Sequence, residues 1–223
     1  MMKKRSLSPL VVVTLVLGWA THSVSAGTGP GGAIKIGAQT LDSVVDGQET
    51  TRLRVEAELS TGMIADDHAD FFLSVGGSPL GDSEYVDSYE SGGNFYEDYY
   101  TDTFSMIDVR LGARLYPLGH NSSIRPHIGG GIGYYWLRDD YSDDYYTWVP
   151  DPLYPGDYLQ YYDYADGSET ISDAFFPFIT AGISAPISDN LELLFEFEYD
   201  FGKDESGVDL GGPIYMIGAR IRL

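Results

Sequence analysis

Charged side chains recur at every second position along several segments of this sequence, and they are the groups best placed to do chemistry. In TRLRVEAEL (51–59), two arginines and two glutamates alternate with leucine, valine and alanine. Because successive side chains of a β-strand point to opposite faces, the pattern predicts a strand with one charged face and one apolar face. On a buried face these groups must form ion pairs, whereas on a solvated face they need no partner. The face that points inward therefore decides what they do.

Eight segments show this alternation, which indicates an all-β chain. The predicted strands are 33–41, 51–59, 70–76, 107–116, 124–136, 177–187, 191–201 and 215–223. An even number of strands of roughly ten residues is typical of a closed barrel without free edges. The sequence thus predicts an eight-stranded antiparallel up-and-down β-barrel. If its apolar face meets lipid, it is a transmembrane β-barrel with long extracellular loops.

The N-terminal residues have the order of a secretory signal peptide. Three basic residues at 3–5 precede an apolar run at 10–20 and a small-residue site that ends at Ala26. The run has 11 residues, fewer than the roughly 20 that a membrane-spanning helix needs, and a short membrane anchor is the alternative. We predict a signal peptide over residues 1–26 and one outer-membrane β-barrel domain over residues 27–223.

The charge balance argues against one class of partner. Acidic residues outnumber basic ones by 34 to 13, a net charge of −21, and there is no cysteine. Residues 1–26 hold three of the basic residues and no acid, which leaves −24 for residues 27–223. Such a chain repels phosphates, so we expect no nucleic-acid partner. The 14% aromatic content favours a folded chain over a disordered one.

Most basic residues fall on the polar faces of the predicted strands. The two sets are Lys35, Arg52, Arg54, Arg110, Arg114, Arg125, Arg220 and Arg222, and Glu56, Glu58, Asp108, Glu192, Glu196, Glu198 and Asp200. These eight basic and seven acidic residues nearly cancel in a chain that is strongly acidic overall. A narrow interior requires this balance, because buried charges have to be paired. We interpret the set as a structural ion-pair network in the lumen, with a narrow ion path as the alternative.

Two further features favour an apolar wall that faces lipid. The predicted links at 77–104 and 138–172 are long, whereas the links at the other end are mostly short. Outer-membrane barrels have this asymmetry, with the long loops outside the cell and the termini in the periplasm. Aromatic residues lie near the outer ends of two strands, at 134–136 and at 199–201, as expected for a girdle at the lipid–water interface.

One stretch carries a family resemblance. VRLGARLYPLGHNSSIRPHIGGGIGYYW (109–136) resembles the middle of small outer-membrane β-barrels of the OmpA-like and OmpX-like group. In that group a strand ending in Arg-x-Tyr, a short turn, Arg-Pro and a glycine-rich strand ending in Gly-Tyr recur. The final strand is similar to the group's terminal assembly signal, with Leu223 where an aromatic residue is usual. The resemblance implies a porin-family protein in the outer membrane of a Gram-negative cell. It also implies contact with lipid and lipopolysaccharide and recognition by the barrel-assembly machinery.

The sequence gives little support to an enzymatic role. Outer-membrane enzymes of barrel type need serine, histidine and carboxylate groups gathered at one rim. After residue 26 the histidines are His68, His120 and His127, which the topology puts in the periplasmic half of the barrel. No G-x-S-x-G, H-E-x-x-H or phosphate-binding loop is present. We expect a non-enzymatic protein in which His127 is a satisfied lumen residue.

The two long links have an unusual composition. They contain 13 of the 18 tyrosines and 16 of the 34 acidic residues, with Arg138 as their one basic residue. Tyrosine is favoured in binding loops, and dense carboxylates attract calcium, which takes about six to eight oxygens. The candidate calcium ligands are Asp139, Asp140, Asp143 and Asp144, and Asp163, Asp166 and Glu169. A merely solvated acidic surface is the alternative, and we expect no other cofactor.

These features predict a non-enzymatic integral outer-membrane barrel with a structural role, a surface-binding role, or both. Its acidic, tyrosine-rich loops would bind cations, glycans or other proteins. The first alternative is a narrow channel or small-solute carrier, which would conduct current where a plugged barrel is silent. The second is a secreted soluble barrel that binds an apolar ligand inside, with the two faces exchanged.

Overall fold

Eight β-strands in one continuous antiparallel sheet make up the computed structural model, which describes residues 29–42, 49–66, 68–119, 124–188, 190–202 and 211–223. The strands are β1 (Gly31–Asp42), β2 (Glu49–Ser60), β3 (Ala69–Ser91), β4 (Asn94–Leu115), β5 (Arg125–Pro150), β6 (Tyr158–Ser188), β7 (Leu191–Asp200) and β8 (Gly212–Arg222). Each strand pairs with its neighbour in the chain, and β8 pairs with β1. The sheet therefore closes, and the prediction of an eight-stranded up-and-down barrel is confirmed.

The predicted signal peptide (1–26) lies outside the described residues. Within the residues that the structure does describe, no helix has the length and apolarity needed to cross a membrane.

The strands differ in length, and the difference divides the molecule into two parts. β1, β2, β7 and β8 have 10 to 12 residues, which suits a tilted strand that crosses a bilayer. β3, β4, β5 and β6 have 22 to 31 residues and continue beyond the ends of the other four. We call this outer part, residues 81–104 and 138–170, the hairpin sheet.

The prediction of a loop at 77–104 is wrong, because this segment is a β-hairpin. β3 and β4 remain paired up to Ser91 and Asn94, and only Gly92 and Gly93 connect them. The two glycines have φ angles of +64° and +84°. A pair of residues with positive φ forms the two-residue turn whose twist matches that of a hairpin, and glycine adopts this conformation without a steric cost.

The loop predicted at 138–172 is also wrong. β5 and β6 pair out to Pro150 and Tyr158 around a turn at 151–157. β4 and β5 pair as well, from Leu115 and Ile128 to Phe95 and Trp148, so both hairpins belong to one four-stranded sheet. Tyrosine, tryptophan and threonine fit the pleated surface of a strand, and they outweigh the dense negative charge of this segment.

Register shifts mark the base of the hairpin sheet. One lies between Pro79 and Gly81 of β3, and another lies at Leu137–Arg138, where β5 pairs with β6. A bulge adds one residue to a strand and so reverses which of its later side chains point inward. Leu80, the added residue of β3, is fully buried. Beyond it the odd-numbered residues of β3 continue the inner face of the barrel.

Burial alternates along the strands of the barrel as the sequence predicts. From Arg54 to Ser60 in β2, every second side chain is buried and those between are exposed. The exposed members of the barrel strands are large and apolar, such as Ile34, which is 63% exposed, and Leu111, which is 51% exposed. Apolar side chains thus cover the outer wall and charged ones turn inward, the inverse of a water-soluble sheet protein.

Candidate functional site

Glu58 on β2 is the centre of an ion-pair network inside the barrel. Its Oε2 lies 2.6 Å from Lys35 Nζ, and its Oε1 accepts hydrogen bonds from Arg114 Nη1 at 2.9 Å and Arg220 Nη2 at 2.8 Å. β1, β4 and β8 therefore each contribute one cation to the same carboxylate. Lys35 also lies 2.6 Å from Glu196 Oε2 on β7. All five side chains are almost fully buried, and mutual pairing offsets the cost of removing them from water.

A second group of pairs joins β2, β4 and β7. Arg54 donates from Nη1 and Nη2 to the two oxygens of Asp108, at 2.6 and 2.8 Å. Arg110 donates in the same two-pronged way to Asp200, at 2.9 and 2.8 Å, and also to Glu198 at 2.6 Å. Two-pronged arginine–carboxylate pairs are stronger than single contacts and fix the orientation of both groups.

A third group lies nearer the short turns. Glu192 on β7 accepts hydrogen bonds from Arg125 on β5 and from Arg222 on β8, the latter at 2.9 Å. His127 Nε2 lies 3.1 Å from Glu196 Oε1. His127 is thus a buried, hydrogen-bonded residue of the lumen.

Fourteen of the fifteen residues predicted for the lumen are buried members of this network, since Glu56 also pairs with Lys35 and Arg54. Arg52 is the exception. It is half-buried, its Nε donates to Thr50 Oγ1 at 3.2 Å, and no carboxylate of the described residues pairs with it. β2 pairs with β3 only from Val55 onward, so Arg52 lies beyond the enclosed part of the barrel.

Four polar residues of the network were not in the set that the sequence argument predicted. Tyr116 donates its hydroxyl to Asp70 Oδ2 at 3.1 Å, and Gln39 Oε1 accepts from Arg54 Nη1 at 3.3 Å and from Ser78 Oγ at 2.9 Å. Asp70 and Gln39 both fall on the polar parity of their strands, so the alternation alone could have included them.

Apolar side chains fill the rest of the interior, which the sequence argument did not predict. The cluster consists of Leu41, Phe72, Leu80, Met106, Tyr135, Leu137, Phe176 and Phe178. The arginines lie against it, because the Arg114 guanidinium is 3.9 Å from the centre of the Phe72 ring and that of Arg110 is 5.2 Å from Phe176. Such contacts add a cation–π attraction to the ion pairs. The signal in the sequence was Phe72, which interrupts the polar face of β3.

The described histidines have separate structural partners. His68 Nδ1 lies 2.8 Å from the carbonyl oxygen of Tyr116, in the turn after β2, while His127 contacts Glu196 in the interior. His120 lies outside the described residues.

Aromatic residues cluster on the outer wall where β7 ends. Tyr134 packs edge-on against Trp136 at 4.9 Å and against Phe175 at 4.6 Å, and Tyr199 packs against Phe201 at 4.9 Å. These are the residues that the sequence predicted for an interfacial girdle, joined by Phe175. Their amphipathic or flat rings suit a boundary between an apolar and an aqueous layer.

One face of the hairpin sheet alternates tyrosine with carboxylates. We call it the Tyr–Asp face, and by strand register it comprises Tyr85, Asp87 and Tyr89; Tyr96, Asp98, Tyr100 and Asp102; Asp139, Tyr141, Asp143 and Tyr145; and Tyr161, Asp163 and Glu169. It continues the inner face of the barrel. Seven tyrosines and seven carboxylates share it, and none of its described residues is a lysine or an arginine.

The tyrosines of this face are ordered by stacking. Tyr85 stacks on Tyr100 with ring centres 4.5 Å apart, and Tyr89 stacks on Tyr96 at 4.8 Å. Tyr145 donates its hydroxyl to Asp143 at 3.1 Å. Burial and the neighbouring Asp98 carboxylate raise the pKa of Tyr100 to about 12. Since a phenol normally has a pKa near 10, Tyr100 stays a neutral hydroxyl over the physiological range.

The candidate calcium ligands do not gather as predicted. The run 139–144 forms part of a strand, so Asp139 and Asp143 lie on the Tyr–Asp face while Asp140 and Asp144 lie on the opposite face. Asp163 and Glu169 share the first face and Asp166 lies on the second. In the part of the chain that the structure describes, no group of three or more His, Cys, Asp or Glu residues is arranged to hold a metal ion. The candidate ligands of each run are therefore divided between the two faces, because a strand alternates its side chains.

Like charges nevertheless crowd one point of the Tyr–Asp face. Asp139 lies directly opposite Glu169 in the ladder between β5 and β6. Partial burial and the nearby Asp102 and Glu169 carboxylates raise the pKa of Asp139 above its usual range. The crowding marks excess negative charge, because none of the described residues of this face is a cation and Arg138 points to the opposite face.

The fold and the site together define a closed eight-stranded β-barrel with an ion-paired interior, an apolar wall and a protruding acidic sheet. The closed eight-stranded topology that the resemblance implied is present in the structure. No protein-family model and no curated protein matches the sequence.

Several solved structures are similar in fold. One is Neisserial surface protein A, at 12% identity and a TM-score of 0.47, covering 90% of this chain and 100% of the other. The attachment invasion locus protein Ail of Yersinia pestis, solved with a heparin analogue, has 13% identity and a TM-score of 0.47, covering 87% and 99%. OprG of Pseudomonas aeruginosa has 13% identity and the same score, covering 90% and 99%.

Proposed function

We propose that this chain is a non-enzymatic integral outer-membrane protein whose barrel spans the bilayer and whose hairpin sheet serves as a binding surface outside the cell. One observation carries the proposal: large apolar side chains, aliphatic and aromatic, cover the exposed wall on all eight strands, while lysine, arginine and carboxylates are buried within. In water this arrangement would leave large apolar side chains hydrated, whereas lipid covers them. Lipid and lipopolysaccharide are then the immediate partners of the wall.

The proposed orientation rests on the difference between the two ends of the barrel. The described chain ends, near residues 29 and 223, lie at the end with the short turns, and the hairpin sheet lies at the other. Outer-membrane barrels keep their short turns in the periplasm. We therefore place both termini in the periplasm and the hairpin sheet outside, and we expect the barrel-assembly machinery to recognise β8.

A structural role for the lumen is favoured over a channel. The ring centre of Phe178 lies 6.0 Å from that of Phe72 and 6.5 Å from that of Phe176, and the ion pairs fill the space beside these rings. An eight-stranded barrel has room for little more than its own side chains. The same filling disfavours the soluble alternative, because that reading needs an apolar cavity for a ligand.

A non-enzymatic role is supported by the pairing of the ionisable groups in the interior with one another. The carboxylates of the lumen are paired with arginine or lysine, and His127 is bonded to Glu196. A general acid or base has to face a substrate, and these groups face one another. We assign them the task of holding the barrel together.

The test is electrophoresis of the membrane and soluble fractions, with and without boiling. We expect the protein in the detergent-extracted membrane fraction, with a mobility that changes on boiling as a closed barrel unfolds. A soluble protein without this shift would overturn the proposal. Planar-bilayer recording separates the channel alternative, since a filled barrel gives no unitary current and a steady conductance would contradict a structural lumen.

A further inference from the structure

The carboxylates of the Tyr–Asp face lack the counterions that those of the barrel interior have. Residues 77–104 and 138–172 carry 16 acids and a single cation, Arg138, whose side chain points to the opposite face and lies 3.4 Å from Asp140. Asp98 is only 8% exposed, and none of the described cations lies within ion-pair distance of it. A buried carboxylate without a cation is unfavourable. The face is therefore complementary in charge to a cationic ligand.

Two carboxylates face each other on the β3–β4 side of this surface. Asp87 on β3 lies directly opposite Asp98 on β4. Like charges in cross-strand pairs destabilise a sheet, and oppositely charged pairs stabilise it. An external cation placed over the pair would replace repulsion with attraction.

Stacked tyrosines enclose the carboxylate pair on both sides. Tyr85 and Tyr100 form the row below Asp87 and Asp98, and Tyr89 and Tyr96 form the row above. Aromatic rings attract ammonium and guanidinium groups, and they also pack against the methylene stems of lysine and arginine. Carboxylates between aromatic walls thus suit a long cationic side chain better than a compact ion.

We infer that the Tyr–Asp face binds an extended, lysine- or arginine-rich segment of another protein, an inference that rests on the proposed display of the hairpin sheet outside the cell. Rows on one face of a strand repeat every two residues, about 6.8 Å. Side chains at alternate positions of an extended peptide have the same spacing. A peptide with a basic residue at every second position can therefore set successive cations over successive rows, starting from Asp87 and Asp98.

The experiment uses the full-length protein in detergent micelles, after its heat-dependent mobility has shown that the barrel is closed. The probe is a fluorescein-labelled peptide of 11 alternating lysine and alanine residues, followed by anisotropy at physiological salt. Asp87→Asn combined with Asp98→Asn removes the carboxylate pair. Glu84→Gln combined with Glu90→Gln removes the same charge from the opposite face of β3, where both residues are exposed.

We expect the Asp87/Asp98 variant to weaken peptide binding at least tenfold and the Glu84/Glu90 variant to change it less than twofold. A second peptide with the same composition but with its lysines in one block should bind more weakly than the alternating one. Equal losses in the two variants, or equal binding of the two peptides, would mean diffuse attraction to an acidic sheet and would overturn the inference.

Two controls separate other causes of failure. Millimolar calcium that abolishes peptide binding in the wild type, and itself binds through Asp87 and Asp98, would make this a metal site and refute a protein partner. A protein that lacks the heat-dependent shift would refute the membrane barrel itself. Peptide that fails to bind a barrel with a normal shift would refute only the assignment of the ligand.

Discussion

Substitution of Glu58 by glutamine should destabilise the barrel more than any single change on its outside. The change keeps the shape of the side chain but removes one negative charge from contact with Lys35, Arg114 and Arg220. These three cations come from three different strands and are buried. Each would then repel the others without the carboxylate that now lies between them.

The size of the effect follows from the contact distances. At an effective dielectric of about 20, unit charges 2.8 Å apart attract by about 6 kcal/mol, and Glu58 has three such contacts. Most of that attraction is offset by the loss of hydration when the ions are buried. Removing one partner of a buried pair typically costs about 3 to 5 kcal/mol, because the remaining charge stays buried without compensation. We expect a loss in this range in the free energy of unfolding, because each of the three cations loses one partner, while Lys35 and Arg114 keep Glu196 and Arg220 keeps Glu192.

The assay is urea unfolding in lipid vesicles, followed by the emission of Trp136 on the outer wall. Glu84→Gln in the hairpin sheet is the matched control, since the same chemical change is made at an exposed side chain. A loss below about 1 kcal/mol in Glu58→Gln, comparable with a surface ion pair, would refute the reasoning that buried charges hold the barrel. Lys35→Met added to Glu58→Gln should recover part of the loss, because it restores the balance of buried positive and negative charges.

Three further predictions concern the wall, the turn and the acidic sheet. Leu111→Lys on the exposed wall should lower the free energy of unfolding in lipid vesicles by about 2 to 4 kcal/mol, measured by the same assay. In a protein that is not embedded in lipid, the same substitution should change the free energy of unfolding little. Gly92→Val should destabilise the β3–β4 hairpin by about 1 to 2 kcal/mol, seen as faster hydrogen exchange there, because φ is +64° and a branched side chain resists it. The raised pKa of Asp139 means that folding disfavours its carboxylate, owing to partial burial and to Asp102 and Glu169, so the hairpin should become more stable as pH falls through that pKa. The measurement is the pH dependence of amide-hydrogen protection in the hairpin, corrected for intrinsic exchange rates. The Asp139→Asn variant should lack this dependence.

The alternation of side chains was enough to predict the strands of the barrel and most of its interior. A strand that separates lipid from a narrow lumen must keep one polarity on each face. Its inward and outward residues can therefore be recognised from the alternation in the sequence. Asp70 and Gln39 were not in the predicted lumen set, although both lie on the polar parity of their strands, so the alternation contained more information about the interior than we used. Arg52 shows its limit, because parity gives the face of a side chain but not its height along the barrel.

The hairpin sheet could not be predicted from parity in the same way. Both of its faces meet water, so no apolar side had to be kept, and the bulge at Leu80 reverses the inner positions of β3. The Gly92-Gly93 pair was the usable signal, since two glycines between segments rich in tyrosine favour a hairpin turn. Once these residues are read as strands, the split of Asp139 and Asp140 between two faces follows directly.

The ion pairs of the lumen also constrain how the barrel is made. Arg220 on β8 meets Glu58 on β2, Lys35 on β1 meets Glu196 on β7, and these partners are 162 and 161 positions apart in the chain. A sheet that has not yet joined its first and last strands would lack both of these pairs and would present the four groups to the hydrocarbon interior with fewer partners, at a cost of several kcal/mol. Partly inserted forms are therefore penalised, and strand joining, charge neutralisation and membrane entry should occur as a single cooperative event, slow to begin because its decisive contacts are so distant in sequence.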